Sequence, residues 1–131
     1  MPFINIKVAG AAPSPEQTGR LQHEVTSLMA GVLRKKPELT AVLVEHVAAG
    51  AWSIGSRPVV LAAHLDAKVT AGSNTAAEKA RFIRDAHALL KSVFGPELPM
   101  ATYVVIDELP GDAWGYAGMT QAERAAASKS L

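Results

Sequence analysis

The sequence predicts an α/β (α+β) domain built from two tandem β-α-β units related by a pseudo-twofold axis. Its four-stranded sheet would carry both helices on one face. Three observations lead there. First, the 131-residue chain repeats itself. Pro37-Glu38-Leu39 runs through an apolar stretch to Trp52-Ser53-Ile54-Gly55. The pattern returns as Pro96-Glu97-Leu98, running through a second apolar stretch to Trp114-Gly115-Tyr116. The prolines are 59 residues apart and the tryptophans 62, a difference that a three-residue insertion at 99–101 accounts for. Second, each half holds a helix start of the same kind: Ser14 followed by Gln17, and Thr75 followed by Glu78. Third, each helix is flanked by short apolar runs of strand length. Strand, helix, strand in succession favours parallel pairing through a right-handed crossover.

The elements follow in order. Residues 3–8 alternate, with Ile4, Ile6 and Val8 on one side, which is the period of a strand. Pro15 suits a first helical turn, and Leu21, Val25, Leu28, Met29, Val32 and Leu33 form a stripe that Pro37 ends. Residues 40–47 read as the second strand. Pro58 opens the third, 59–65, as Pro2 opens the first 56 residues earlier, although two alanines and Asp66 weaken it. Phe82, Ile83, Ala86, Leu89, Leu90 and Val93 form the second stripe, stopped by Gly95-Pro96. Residues 102–106 are rich in β-branched side chains and close the second unit. Thr120 and Glu123 can cap a short alanine-rich helix. The chain thus reads as one domain, with units at 1–56 and 57–118 and a C-terminal tail at 119–131. The sheet face opposite the helices is expected to be apolar and too large for one chain to cover, which favours self-association.

Composition narrows the function. The chain is 49% apolar and 19% charged, the balance of a globular domain, and its net charge of +1 gives no electrostatic case for nucleic acid or an acidic membrane. Its longest basic run, Arg34-Lys35-Lys36, reads as the charged last turn of the first helix. Without cysteine there is no disulfide, thiol nucleophile or cysteine metal site. His23, His46, His64 and His87 are scattered, with no pair at ligand spacing, and no metal or other cofactor is expected. No G-x-S-x-G elbow or phosphate-cradling glycine loop occurs. No leader and no long apolar span is evident, so the expected location is cytoplasmic.

Pro2 is the residue with chemistry to offer. Proline is small enough to permit removal of the initiator Met1, leaving a secondary amine with an α-amino pKa of about 8. An apolar pocket near cationic groups would lower that value and make the amine a base near neutrality. The same amine could instead attack a carbonyl to form an iminium.

The stretches "PFINIKVAG" and "LTAVLVEHVAAGAWSIG", joined by the capped helix, resemble the 4-oxalocrotonate tautomerase family along nearly the whole first unit. The resemblance implies a tautomerase/MIF-like fold, an N-terminal catalytic proline and an aromatic residue in the active site. With the duplicated length it extends to fused members of the superfamily, among them cis-3-chloroacrylic acid dehalogenases and malonate semialdehyde decarboxylases. That implies a homotrimer and a small carboxylic acid as substrate.

The chain departs from this family where the carboxylate is held. Two arginines do so in 4-oxalocrotonate tautomerase, but the matching positions here carry Ala11 or Ala12 and Leu43, and Val104 in the second unit. Their absence argues against efficient handling of a dicarboxylate. Lys68, ten residues after Pro58 in the loop expected to follow the third strand, is the best replacement; Arg57 and Arg81 are weaker ones. By pseudo-symmetry Trp114 is expected to line the Pro2 pocket, with Tyr116 beside it. Trp52 would line a vestigial pocket at Pro58, whose peptide-bonded nitrogen cannot act as a base. The dehalogenase branch uses a carboxylate near the second aromatic motif to activate water; Asp107, Glu108 and Asp112 are the acids available here.

The reading that follows is an isomerase in which Pro2 moves a proton between carbon and oxygen of a small 2-oxo or 2-hydroxydienoate acid. Two alternatives share the fold: a cofactor-free lyase acting on a β-keto or haloacrylic acid, and a non-catalytic trimeric scaffold.

Overall fold

The computed structural model describes residues 2–129. Strand β1 (Phe3–Ala9) leads into helix α1 (Pro15–Gly31) and strand β2 (Ala41–Val47). A small ribbon of β3 (Ser53–Ile54) and β4 (Arg57–Pro58) precedes β5 (Ala62–Thr70), helix α2 (Ala76–Phe94) and β6 (Val104–Leu109). A second ribbon, β7 (Gly115–Tyr116) and β8 (Met119–Thr120), leads into helix α3 (Gln121–Lys129).

The main sheet has the order β2-β1-β5-β6. Within each unit the strands are parallel, β1 to β2 and β5 to β6. The units meet antiparallel at β1 and β5, with Phe3 opposite Lys68 and Ile6 opposite Leu65. Both long helices begin in complete capping boxes. The Gln17 amide donates to the Ser14 hydroxyl and the Gln17 side chain accepts from the Ser14 N–H, and Thr75 and Glu78 repeat the arrangement.

The two units superpose in pattern with an offset of 61 residues through the first strand and helix, as Ser14 and Thr75 indicate. On that offset Leu21, Val25 and Met29 of α1 match Phe82, Ala86 and Leu90 of α2, all six fully buried. Ile4, Ile6 and Val8 match Leu65, Ala67 and Val69 on the sheet beneath them. One core joins these residues between the sheet and both helices. Each large apolar side chain in it contributes about 1.5–3 kcal/mol by leaving water.

Three expectations need correction. The third strand is 62–70 instead of 59–65, and the fourth is 104–109 instead of 102–106. In β5 the residues His64, Asp66, Lys68 and Thr70 alternate outward while Ala63, Leu65, Ala67 and Val69 face the core. The apolar stretch at 59–61 is the connection into that strand. Pro58 is therefore no counterpart of Pro2. It sits in β4 opposite Ser53, as Thr120 sits in β8 opposite Gly115. The position equivalent to Pro2 is Ala63.

The open sheet face is also not the apolar surface expected. Phe3, Leu43 and Val105 are partly exposed there, but they share it with Asn5, Lys7, Glu45, Asp66, Lys68 and Asp107. Asn5 donates to Glu45 across 2.7 Å, and Lys68 pairs with Asp107 at 3.0 Å. Taking these charges out of water would be costly, so this face does not by itself call for a dry interface. The outer edges of β2 and β6 carry unpaired ladders within the chain, and they are the other natural points of association. Among the described residues no helix is long and apolar enough to cross a membrane.

Candidate active site

The antiparallel join gives the sheet two ends. β1 begins at the end where β5 and β6 finish, so Pro2, Thr70, the α1–β2 turn and the β7–β8 ribbon gather there. The β3–β4 ribbon, with Trp52, lies at the opposite end. Pro2 is fully buried, and its carbonyl accepts from the Ala41 N–H at 3.2 Å. The β1–β5 register, continued one step past Phe3 and Lys68, sets Pro2 against Val69, next to Thr70. Met1, whose removal the chemistry of Pro2 requires, lies outside the described residues.

A cleft of about 380 Å³ opens at this end, lined among others by Leu39, Thr70, Tyr116 and Gln121, and by the cations Arg34, Lys35, Lys36 and Arg124. The basic run reaches it because α1 ends at Gly31, before the run begins. Arg34–Lys36 is thus a turn and not a helix C-terminus, which corrects the sequence reading. Arg34 has φ 60°, a left-handed backbone that non-glycine residues seldom take. Its side chain holds it there, reaching Glu78 at 2.8 and 3.2 Å and the Ser73 carbonyl at 3.0 Å. These hydrogen bonds and the charge of Glu78 raise the Arg34 pKa. The Arg34 guanidinium, the Thr75 N–H and the Asn74 amide hold the Glu78 carboxyl down at about 2.

Lys35 is half-buried and donates to the Ser73 hydroxyl at 2.8 Å. Its burial, and then the charge of Arg34, lower its pKa. Ser73 in turn donates to the Thr70 carbonyl, and the Trp114 indole N–H donates to the Thr70 hydroxyl at 3.2 Å. Arg124 lies over the Tyr116 ring, 3.7 Å from its centre, and donates to the Tyr116 carbonyl at 2.8 Å. Glu78 takes up the charge of Arg34. Among the described residues no ion pair is formed by Lys35, Lys36 or Arg124, so the cleft is cationic.

The residues singled out from sequence divide between the two ends. Pro2, Trp114 and Tyr116 belong to segments at the proline end: Trp114 bonds Thr70, Tyr116 lines the cationic cleft, and Pro2 is buried and is not among the residues that line that cleft. Lys68 is in strand β5, not in a loop, and stands on the open sheet face. There its hydrogen bond to Asp107 raises its pKa, apart from the cationic cleft. Trp52 is at the far end, with backbone bonds to Ala49 and Val59. Arg57 is exposed in β4, and Arg81 reaches Asp85 on α2 at 3.5 Å. Asp107 and Glu108 are inside β6, paired with Lys68 and Lys79, and Asp112 is exposed beside Trp114. His64 contacts Asp66 at 3.3 Å and His46 bonds the Gly10 carbonyl at 2.6 Å. Among the described residues no group of three His, Asp or Glu could hold a metal. A larger groove of about 620 Å³ crosses α1 and α2 near Arg20, His23 and Asp85, away from Pro2.

Sequence reasoning missed Arg34, Lys35, Lys36, Gln121 and Arg124. A signal existed for the last two: a capping box at Thr120 and Glu123 puts Gln121 and Arg124 three residues apart, on one helix face.

Tandem β-α-β units with a proline at the chain start define a class, and comparison with known proteins agrees. The model of the family described as "Tautomerase enzyme" matches residues 2–61 and again 64–124. The chain belongs to the tautomerase family. A Dickeya dadantii (strain 3937) protein named "Probable tautomerase K2" is 36% identical over 59 residues, which is 45% of this chain and 88% of that protein. Among solved structures, a fused 4-OT symmetric trimer superposes with a TM-score of 0.83 at 15% identity, covering 93% of this chain and 98% of its own. A native fused 4-OT gives 0.78 at 21% identity, with 92% and 96% covered. N1, a member of the cis-3-chloroacrylic acid dehalogenase family, gives 0.73 at 19% identity, with 97% and 92% covered. At these identities the structural likenesses establish the fold.

Proposed function

We propose that the chain is a tautomerase in which Pro2, freed by removal of Met1, is the general base for keto–enol proton transfer on a small 2-oxo or 2-hydroxydienoate acid. The observation that carries this reading is a cationic cleft at the end of the sheet where Pro2 leads into β1. A freed secondary amine that is buried near positive charge is disfavoured from protonating, which would move its pKa below the usual value of about 8. The cations attract the carboxylate of the acid, and Tyr116 supplies a wall beside it, with Trp114 bonded to the Thr70 that also lines the cleft. Pro2 takes the proton from the enol oxygen, or from the carbon next to the ketone, and returns it to the other atom. No redox partner or cofactor is called for.

Proton transfer is favoured over the lyase reading by the state of the acids. Asp107 and Glu108 are each tied to a lysine, and Lys79 holds the Glu108 pKa down. Neither is available to activate water, and Asp112, the third acid and without an ion pair among the described residues, is exposed in a turn outside the cationic cleft. The scaffold reading is disfavoured by the family membership and by the cationic cleft. A homotrimer is the assembly proposed, since the fused 4-OT relative that superposes best in the comparisons above is a trimer.

The test is ketonisation of enol-phenylpyruvate, followed by ultraviolet absorbance, in the wild type and in Pro2→Ala. A loss of about 10²–10⁴-fold in kcat/KM is expected, the usual worth of a positioned base. The wild-type rate should rise with pH through a pKa below 8. Activity of Pro2→Ala within threefold of wild type (about that margin being ordinary for a residue outside the chemistry) would overturn the proposal.

A further inference from the structure

The arginines expected to hold the carboxylate are missing from both β-α-β units, whose matching positions hold Ala11 or Ala12, Leu43 and Val104. The C-terminal helix offers one. Arg124 Nε and Gln121 Nε2 are both buried, and neither has a hydrogen-bond partner among the described residues. Buried donors are nearly always paired, and a charged one left unpaired is costly. The two residues are three apart on α3, hence on one face, and both line the cationic cleft. Arg124 is also held in a fixed plane. Its guanidinium stacks on the Tyr116 ring at 3.7 Å, and Nη2 donates to the Tyr116 carbonyl at 2.8 Å. Nε is left over. An arginine with an unused N–H, on the same helix face and in the same cleft as an unpaired carboxamide N–H, suits the two oxygens of a carboxylate. Lys35 and Lys36 share the cleft and add to its positive potential without fixing an orientation.

We infer that Arg124 and Gln121 are the specificity-determining residues of this site. They hold the substrate carboxylate from the C-terminal helix, with Tyr116 as the residue that positions Arg124. The inference rests on the tautomerase reading only in calling the bound acid a substrate; the binding itself does not need Pro2. The site would select small carboxylic acids over their amides, because a neutral amide cannot take up the guanidinium charge and brings its own N–H donors to a place already rich in them.

The experiment separates the two claims. The full-length Pro2→Ala protein is titrated by calorimetry with 3-phenylpropanoate and with 3-phenylpropanamide. The acid is expected to bind more than about tenfold tighter, as a charge-assisted contact in a partly closed cleft should allow. Arg124→Gln is expected to erase that preference, Arg124→Lys to keep part of it, and Gln121→Leu to weaken it. Melting temperatures of all variants check that α3 remains folded. In the Pro2-containing enzyme Arg124→Gln should raise KM for phenylpyruvate more than it lowers kcat. Equal affinity for acid and amide, or a preference that survives Arg124→Gln, overturns the inference. An Arg124-dependent preference without Pro2-dependent turnover would sustain the anchor while removing the tautomerase reading. Pro2-dependent turnover with a preference indifferent to Arg124 would do the reverse.

Discussion

The two ends of the sheet are built from the same parts and have diverged into different surfaces. At the proline end the turn leaving the first helix reads Arg34-Lys35-Lys36; at the far end, 61 residues on, it reads Gly95-Pro96-Glu97. Gly95 takes positive φ at no cost, whereas Arg34 takes it against its intrinsic preference, held by Glu78. The ribbon at the proline end carries Trp114 and Tyr116, and the far one Trp52 and Ile54. Trp114 has the Thr70 hydroxyl to bond, while at the far end the equivalent positions are Ala9 and Gly10. Gly10 is crowded by the segment joining the units: a Cβ there would lie 2.4 Å from the Val60 carbonyl. The proline end receives α3 instead, with Gln121 and Arg124. The two ends share a symmetric frame with a tryptophan at each, and the basic turn, Tyr116 and α3 belong to the proline end.

Substitutions that blur this difference should have effects of graded size. The largest is expected from Gly115→Ala. A Cβ at Gly115 would fall 1.9 Å from the Met119 carbonyl, too close for β7 and β8 to keep their pairing. Tyr116 would shift, and Arg124 with it. A loss of about 10²-fold in kcat/KM is expected, the scale of an ångström-sized misplacement. Ser53→Ala, at the equivalent place in the far ribbon, should leave the rate unchanged in the same assay. Comparable losses in both variants would mean that both ribbons serve the site.

A smaller effect concerns acid stability, and again the ends differ. The capping box of α1 closes on Gln17, which does not titrate, and that of α2 on Glu78, whose pKa is held at about 2. A carboxylate with a depressed pKa in the folded state adds stability that is present above its ordinary value of 4.5 and is lost as the pH falls towards 2. Melting temperatures measured across that window should fall in the wild type. In Glu78→Gln, which makes the second cap resemble the first, they should start lower and fall less. An unchanged acid decline in the variant would show that other carboxylates set it.

Much of the frame was legible in the sequence. The capping boxes at Ser14 and Thr75 and the helical stripes at Leu21 and Phe82 declare themselves locally, through hydroxyl-to-amide geometry and a period of 3.6. Strand β5 was misjudged because its inward residues include the small Ala63 and Ala67, and its outward ones are charged. An apolar run was a poor guide to where such a strand ends. The cationic cleft was less legible still. Arg34 at positive φ follows from a tertiary contact with Glu78, 44 residues away, which no local pattern encodes. Arg124 and Gln121 lie in a tail whose alanine-rich composition signals a helix but not what that helix packs against. Pro2, Trp114 and Tyr116 stand out in the sequence through the repeat and the family resemblance, and the fold brings their segments to one end. The sequence places Lys68 in a loop because its apolar run stops at Leu65, whereas β5 continues to Thr70.

On the proposed mechanism each chain has one competent end, with a free proline amine at it. Intact-mass spectrometry before and after treatment with 3-bromopropiolate tests this most directly, with Pro2→Ala as control. The expected result is a starting mass without Met1 and a single adduct per chain, carried by Pro2 and missing from the variant. A retained Met1, no adduct, or an adduct that persists in Pro2→Ala would contradict it.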